Sequence, residues 1–93
     1  MRTYELVFIV HPDLDENAFN DLVKRVQGWV VDGGGEVSKT DLWGKRRMAY
    51  PIRKQTEGQY VLMELKMLPT FSATLERNLR FLEPIIRFQI IVK

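Results

Sequence analysis

From Thr3 to Val10 the chain alternates, with Tyr4, Leu6, Phe8 and Val10 on one face and Thr3, Glu5, Val7 and Ile9 on the other. Aromatic and β-branched residues at period two predict a strand, and its two rather apolar faces predict a central one. His11-Pro12 ends it, because proline has no N–H to give to the ladder. Asp13-Leu14-Asp15-Glu16 then offers two N-cap candidates, with Glu16 three residues after Asp13 in capping-box spacing. Phe19, Leu22, Val23, Val26 and Val30 follow at helical spacing, with Asn17, Asp21, Lys24 and Arg25 on the wet side. Gly33-Gly34-Gly35 stops this helix by supplying the positive φ that a helix C-terminus takes.

Glu36 to Ile52 reads as a polar-rich extended segment with a bend or bulge at Gly44, and Pro51 puts its far end on a sheet edge. Lys54 to Gly58 reads as a turn. Gln59 to Met67 returns as a strand, so the two arms form a hairpin. Pro69-Thr70 opens a second helix, with Phe71, Leu75, Leu79 and Leu82 on its apolar side and Glu83-Pro84 closing it. Ile85 to Val92 is a last strand, with Phe88, Ile90 and Val92 facing one way and Arg87, Gln89 and Ile91 the other.

The order β-α-β-β-α-β is that of the split-βαβ, ferredoxin-like plan. Right-handed crossovers then build an α+β fold: a four-stranded antiparallel sheet with two helices on one face and the other face open. No internal repeat or linker interrupts residues 1–93, which are expected to form a single domain of this type. A length of 93 residues with 45% apolar content suits one such core and excludes a disordered chain. The chain has no cysteine, which rules out disulfides and thiolate metal sites. The longest apolar run, Leu6–Val10, is too short to span a bilayer, and Met1–Glu5 does not resemble a signal peptide, so a cytoplasmic location is expected.

Charge changes the picture more. Net charge is only +2, but residues 1–42 carry four Lys/Arg against eight Asp/Glu, a net −4, and residues 43–93 carry ten against four, a net +6. Lys45, Arg46, Arg47, Arg53 and Lys54 fall in a stretch from Leu42 to Thr56 that contains no acid. Such a run creates a field suited to phosphates or acidic surfaces, although short basic runs are also common as plain solvated hairpins.

Catalytic chemistry is hard to assemble. His11 is the only histidine and lacks an evident orienting partner, and no nucleophile–base set or metal-ligand spacing is present. The triple glycine follows a helix instead of preceding one, so it does not cradle phosphate. Recognition is the remaining signal: Trp43, Tyr50 and Tyr60 lie in or near the basic hairpin, and cations beside rings suit RNA, whose phosphates need charge and whose bases stack. The RNA-recognition-motif mode is disfavoured, because the corresponding stretch, Glu57-Gly58-Gln59-Tyr60-Val61, lacks the leading base and first aromatic. A small-molecule module on the open sheet face and an acylphosphatase-like enzyme are the competing classes. The first lacks a convergent polar cluster, and the second would need an anion-cradling loop where His11-Pro12-Asp13 is acidic.

Read together, several segments resemble the bacterial small-subunit ribosomal protein S6 family. They are Met1-Arg2-x-Tyr4-Glu5, Pro12, Gly33-Gly34-Gly35-Glu36, the block Trp43-Gly44-Lys45-Arg46-Arg47-Met48-Ala49-Tyr50-Pro51-Ile52, Glu57-Gly58-x-Tyr60, Leu75-Glu76-Arg77-x-Leu79 and Arg87-Phe88. The resemblance covers essentially the whole chain, and the central block is its most specific part. It implies a non-enzymatic ribosomal protein that binds the central domain of 16S rRNA as a heterodimer with ribosomal protein S18 while the platform assembles. No cofactor, metal, membrane or small-molecule substrate is implied, and the location is ribosomal. Carried over by position, Arg2, Arg46, Arg47, Lys54 and Arg87 become candidates for rRNA backbone contacts, joined by Lys45 and Arg53 of the same run. Trp43, Met48 and Tyr50 become candidates for contact with the partner protein or for buttressing that surface. Tyr4 shares the parity of Leu6 and Phe8 and is expected to point inward. Many members continue in a charged tail past the last strand; this sequence stops at Lys93, so no tail-borne role is expected.

A net charge of +2 is small for autonomous RNA binding, since affinity scales with the phosphates neutralised. The composition therefore favours a chain that supplies half of a composite surface and reads RNA shape and backbone more than bases.

Overall fold

In the computed structural model, which describes residues 1–93, the elements are β1 (Arg2–Val10), α1 (Glu16–Asp32), β2 (Glu36–Ile52), β3 (Gln55–Met67), α2 (Pro69–Arg80) and β4 (Ile85–Val92). The strands form one sheet in the order β2-β3-β1-β4, with every neighbouring pair antiparallel. The alternation in β1 already predicted its central place: its ladder runs from Arg2↔Met67 to Val10↔Gln59 against β3 and from Tyr4↔Val92 to Val10↔Ile85 against β4.

The apolar stripes meet on one side of this sheet. Tyr4, Leu6, Phe8 and Val10 of β1 and Val61, Met63, Leu65 and Met67 of β3 pack with Phe19, Leu22, Val23, Val26 and Val30 of α1 and Leu75 and Leu79 of α2. Burying each of the larger aliphatic and aromatic side chains contributes about 1.5–3 kcal/mol relative to exposure. No helix is long and apolar enough to cross a membrane.

Three local expectations are corrected. Asp15, not Asp13, caps α1: its carboxylate accepts from the Ala18 N–H at 2.8 Å, while the Asp13 N–H donates to His11 Nδ1 at 3.1 Å. The Asp13–Glu16 capping box is therefore not formed, because Asp13 belongs to the turn that leaves β1. Helix α2 stops at Arg80, ahead of Glu83-Pro84. Phe81 and Leu82 donate to Asn78 and Leu79 carbonyls three residues back, which tightens the chain out of the α-helix. The hairpin turn is not Lys54–Gly58 but the two residues Arg53 and Lys54, since Ile52 already pairs with Gln55. The positive φ after α1 belongs to Gly34 (+85°), one residue past the Gly33 cap.

Candidate nucleic-acid interface

The sheet face turned away from the helices carries the candidate site, and the long β2 arm shapes it. Register shifts occur at Val37/Lys39, Leu42/Gly44 and Arg47/Ile52, and Gly44 takes φ +78°, so the bend expected there is present. The middle shift frees Trp43 from the ladder. Its ring stacks on Tyr60 (centroids 6.3 Å apart, planes 14° apart), and the Arg46 guanidinium lies 5.6 Å from the Trp43 centroid. A cation–π contact at such an exposed site is worth about 0.5–1 kcal/mol, enough to hold Arg46 in place without neutralising it.

Beyond Arg47 the arm leaves its ladder with β3 and folds over the open face. Met48 is buried against Ile9 of β1 and Ile86 of β4, with Ile52 and Tyr60 beside them. Two residues on, the Tyr50 hydroxyl accepts from Arg87 Nη1 at 2.6 Å. Because β2 and β4 are opposite edges of the sheet, only an arm bent across its end brings these two side chains together. A bulge in β4 helps: Ile9 faces Arg87 and Val10 faces Ile85, leaving Ile86 as the extra residue that fills the space beneath Met48.

Gly58 makes room for this packing. A Cβ there would run into Ile9 Cγ2, inside van der Waals contact. Gly58→Ala is expected to destabilise the protein by about 1–3 kcal/mol, as overpacking a filled core does. Thermal melting checks this, and an unchanged midpoint would show that Ile9 swings aside without cost.

The hairpin ends in a strained turn. Arg53 (φ 51°) and Lys54 (φ 65°) both adopt the left-handed conformation that two-residue hairpins normally give to Asn-Gly. Each such non-glycine residue costs on the order of 1 kcal/mol or more. Arg53 Nη1 reaches back to the Glu83 carbonyl at 3.4 Å.

The basic run is divided by the pleat of β2, because successive side chains of a strand point to opposite faces. Arg46, across from Gly58, stands on the open face, as does Arg87. Lys45, across from Gln59, lines a cleft on the helix side with Asp13, Asp15 and Glu16, and Arg47 shares that parity and faces Glu57. Arg53 and Lys54 occupy the tip. Arg2 is not brought near them: it begins β1, and eight residues of strand, roughly 26 Å, separate it from Val10 at the hairpin end. Trp43 and Tyr50 are exposed, at 43% and 57%, whereas Met48 at 7% takes the buttressing role. Tyr4 points inward and is buried, as its parity implied.

The remainder of the open face is electrically balanced. Lys93 pairs with Glu5 (3.5 Å) and Glu64 (3.7 Å), and Lys39 with Asp41 (3.4 Å). Between the two ends, Val7, Ile9, Tyr60 and Phe88 line a shallow cleft with Arg87 and Gln89. Uncompensated positive charge, exposed rings and apolar surface thus coincide only at the hairpin end. His11 organises the turn after β1 through its Nδ1, and no three His, Cys, Asp or Glu side chains converge as metal ligands. Sequence reasoning missed Ile9, Gly58 and Ile86 as supports of this surface; the glycine inside a strand pattern was the one signal that pointed there.

Residues 3–92 match the family model described as Ribosomal protein S6. Curated relatives named small ribosomal subunit protein bS6 include one from Moorella thermoacetica, 44% identical over 90 residues, covering 97% of this chain and 92% of the relative. Another, from Caldanaerobacter subterraneus subsp. tengcongensis, is 43% identical over 91 residues, covering 98% and 96%. Among solved structures, the crystal structure of 30S ribosomal protein S6 from Thermotoga maritima superposes with a TM-score of 0.95 at 31% identity, covering 99% of this chain and 87% of that one.

Proposed function

The chain belongs to the ribosomal protein S6 family, structural and non-enzymatic proteins of the small ribosomal subunit, and from that premise we propose that it binds the central domain of 16S rRNA jointly with ribosomal protein S18. The observation that carries this reading is the Tyr60–Trp43–Arg46 stack beside the Arg87–Tyr50 pair on one uncovered sheet face. In this reading Arg46 and Arg87 would meet phosphates, and Trp43 would offer a ring to an unstacked base or to a partner side chain. Lys54 and Arg53 extend the contact at the hairpin tip. Lys45 and Arg47, on the other side of β2, and Arg2, at the far end of β1, would touch separate parts of the RNA.

The apolar strip of Val7, Ile9 and exposed Ile91 supports a protein partner on the same face, since burying it would add affinity that two or three cations do not supply. Linkage then makes partner and RNA tighten each other by the same factor. The protein would act in the cytoplasm as part of the ribosome. A mobility-shift titration of a central-domain 16S rRNA fragment, with and without purified S18 and at two salt concentrations, tests this. Tight, salt-sensitive binding that requires the partner is expected; no binding under either condition refutes the proposal.

A further inference from the structure

Resting on that reading, we propose that Arg53, Arg80 and Arg87 form a seat for one backbone phosphate of the bound RNA, at the junction of the hairpin tip, the α2 C-terminus and β4. The three residues line a single cleft of about 370 Å³ whose other walls include Leu79, Ile85 and Ile86, all buried. Each guanidinium is held from outside the cleft: Arg53 by the Glu83 carbonyl, Arg80 by the Glu76 carboxylate and Arg87 by the Tyr50 hydroxyl. A guanidinium carries five N–H donors in a planar fork, so each of these bonds orients a group that keeps most of its donors free.

Three forks around a base of buried apolar side chains suit the oxygens of a phosphate, because guanidiniums bind such oxygens through paired, charge-assisted hydrogen bonds. Glu76 pairs with Arg80 alone, and no carboxylate lines the cleft itself, which leaves it positive. The negative end of the α2 dipole lies at Arg80, so the guanidiniums supply all of the attraction. The turn sets Arg and Lys at positive φ, where Asn-Gly would be relaxed, and from it Arg53 Nη1 donates to the Glu83 carbonyl. Arg80 is invisible to a sequence reading, where Glu76 and Arg80 four residues apart on a helix form an ordinary solvated pair.

The test measures salt-dependent binding of the full chain with S18 to the central-domain rRNA fragment for the parent, Arg53→Gln, Arg80→Gln and Glu76→Gln. Removing one phosphate contact shallows the log–log salt slope by nearly one and weakens binding about four- to fivefold near 0.15 M salt. That result is expected for Arg53→Gln and Arg80→Gln. Glu76→Gln breaks the same helix pair but keeps the guanidinium, and it is expected to bind as tightly as the parent or more so. A parent-like slope in Arg80→Gln, or a loss in Glu76→Gln equal to that in Arg80→Gln, overturns the seat and leaves the rRNA reading standing. Failure of the parent to bind overturns both. Inorganic phosphate, titrated alone and followed by the arginine side-chain resonances, separates the sources. Shifts at Arg80 without loss of RNA affinity in Arg80→Gln would make the cleft a free-anion site and overturn the RNA occupant.

Discussion

Phe8→Ala is expected to destabilise the protein by about 3–5 kcal/mol, the cost of emptying a large aromatic site that closes only partly. Phe8 is fully buried in the middle of β1, paired with Val61 of β3 on one side and Phe88 of β4 on the other. Neither neighbour can move in without disturbing a ladder, so little collapse is available. For a domain of this length each kcal/mol shifts the melting point by about 4–8 °C, so the expected drop is about 12 °C or more. Against a total stability of about 5–15 kcal/mol this is a large share. Denaturant titration followed by circular dichroism measures it, and a loss below about 1 kcal/mol would show a core that refills the hole. Because Phe8 faces the helices and the proposed interface lies on the opposite face, excess RNA and partner should recover assembly by mass action.

The largest expected effect on binding comes from Arg46→Gln with Arg87→Gln. Both residues stand on the open face, and losing two phosphate contacts weakens rRNA binding about 15- to 30-fold near 0.15 M salt. The double variant Lys45→Gln with Arg47→Gln removes the same charge from the same hairpin but from the other side of β2, where Lys45 shares a cleft with Asp13, Asp15 and Glu16 and Arg47 stands opposite Glu57. Its loss is expected to be several-fold smaller. Parallel titrations of the two doubles decide the matter: equal losses would mean that overall charge, and not the open face, governs binding. Both pairs are solvent-facing, so their melting points should stay near that of the parent.

Much of the fold was legible because it rests on short-range periodicity. The period-two alternation of Tyr4 to Val10 and the 3.6-residue spacing of Phe19 to Val30 each state which face is buried, and the element order then leaves few topologies. The misses were competitions between neighbouring groups of similar chemistry. Asp13 and Asp15 are equally good caps on paper, and only the turn that occupies the Asp13 N–H with His11 decides between them. Arg53 and Lys54 carry no turn signature, and a hairpin register fixed along the whole ladder forces them into one.

The candidate interface divides along the same line. By itself, the sequence determined the elements, the inward side of each strand and helix, the excess of cations after residue 42 and, through the block Trp43–Ile52, the family. The tertiary structure alone decided which cations share a face. Strand pleat sends Arg46 and Arg47 to opposite faces, and an arm folded over the sheet joins Tyr50 on one edge strand to Arg87 on the other. It also brings Arg80, from a helix with no basic run, to the same cleft as Arg53 and Arg87. The physical reason is range: burial patterns repeat within a few residues and can be read along the chain, whereas a charged surface is assembled from residues 30 or more positions apart whose meeting depends on register, bulge and bend.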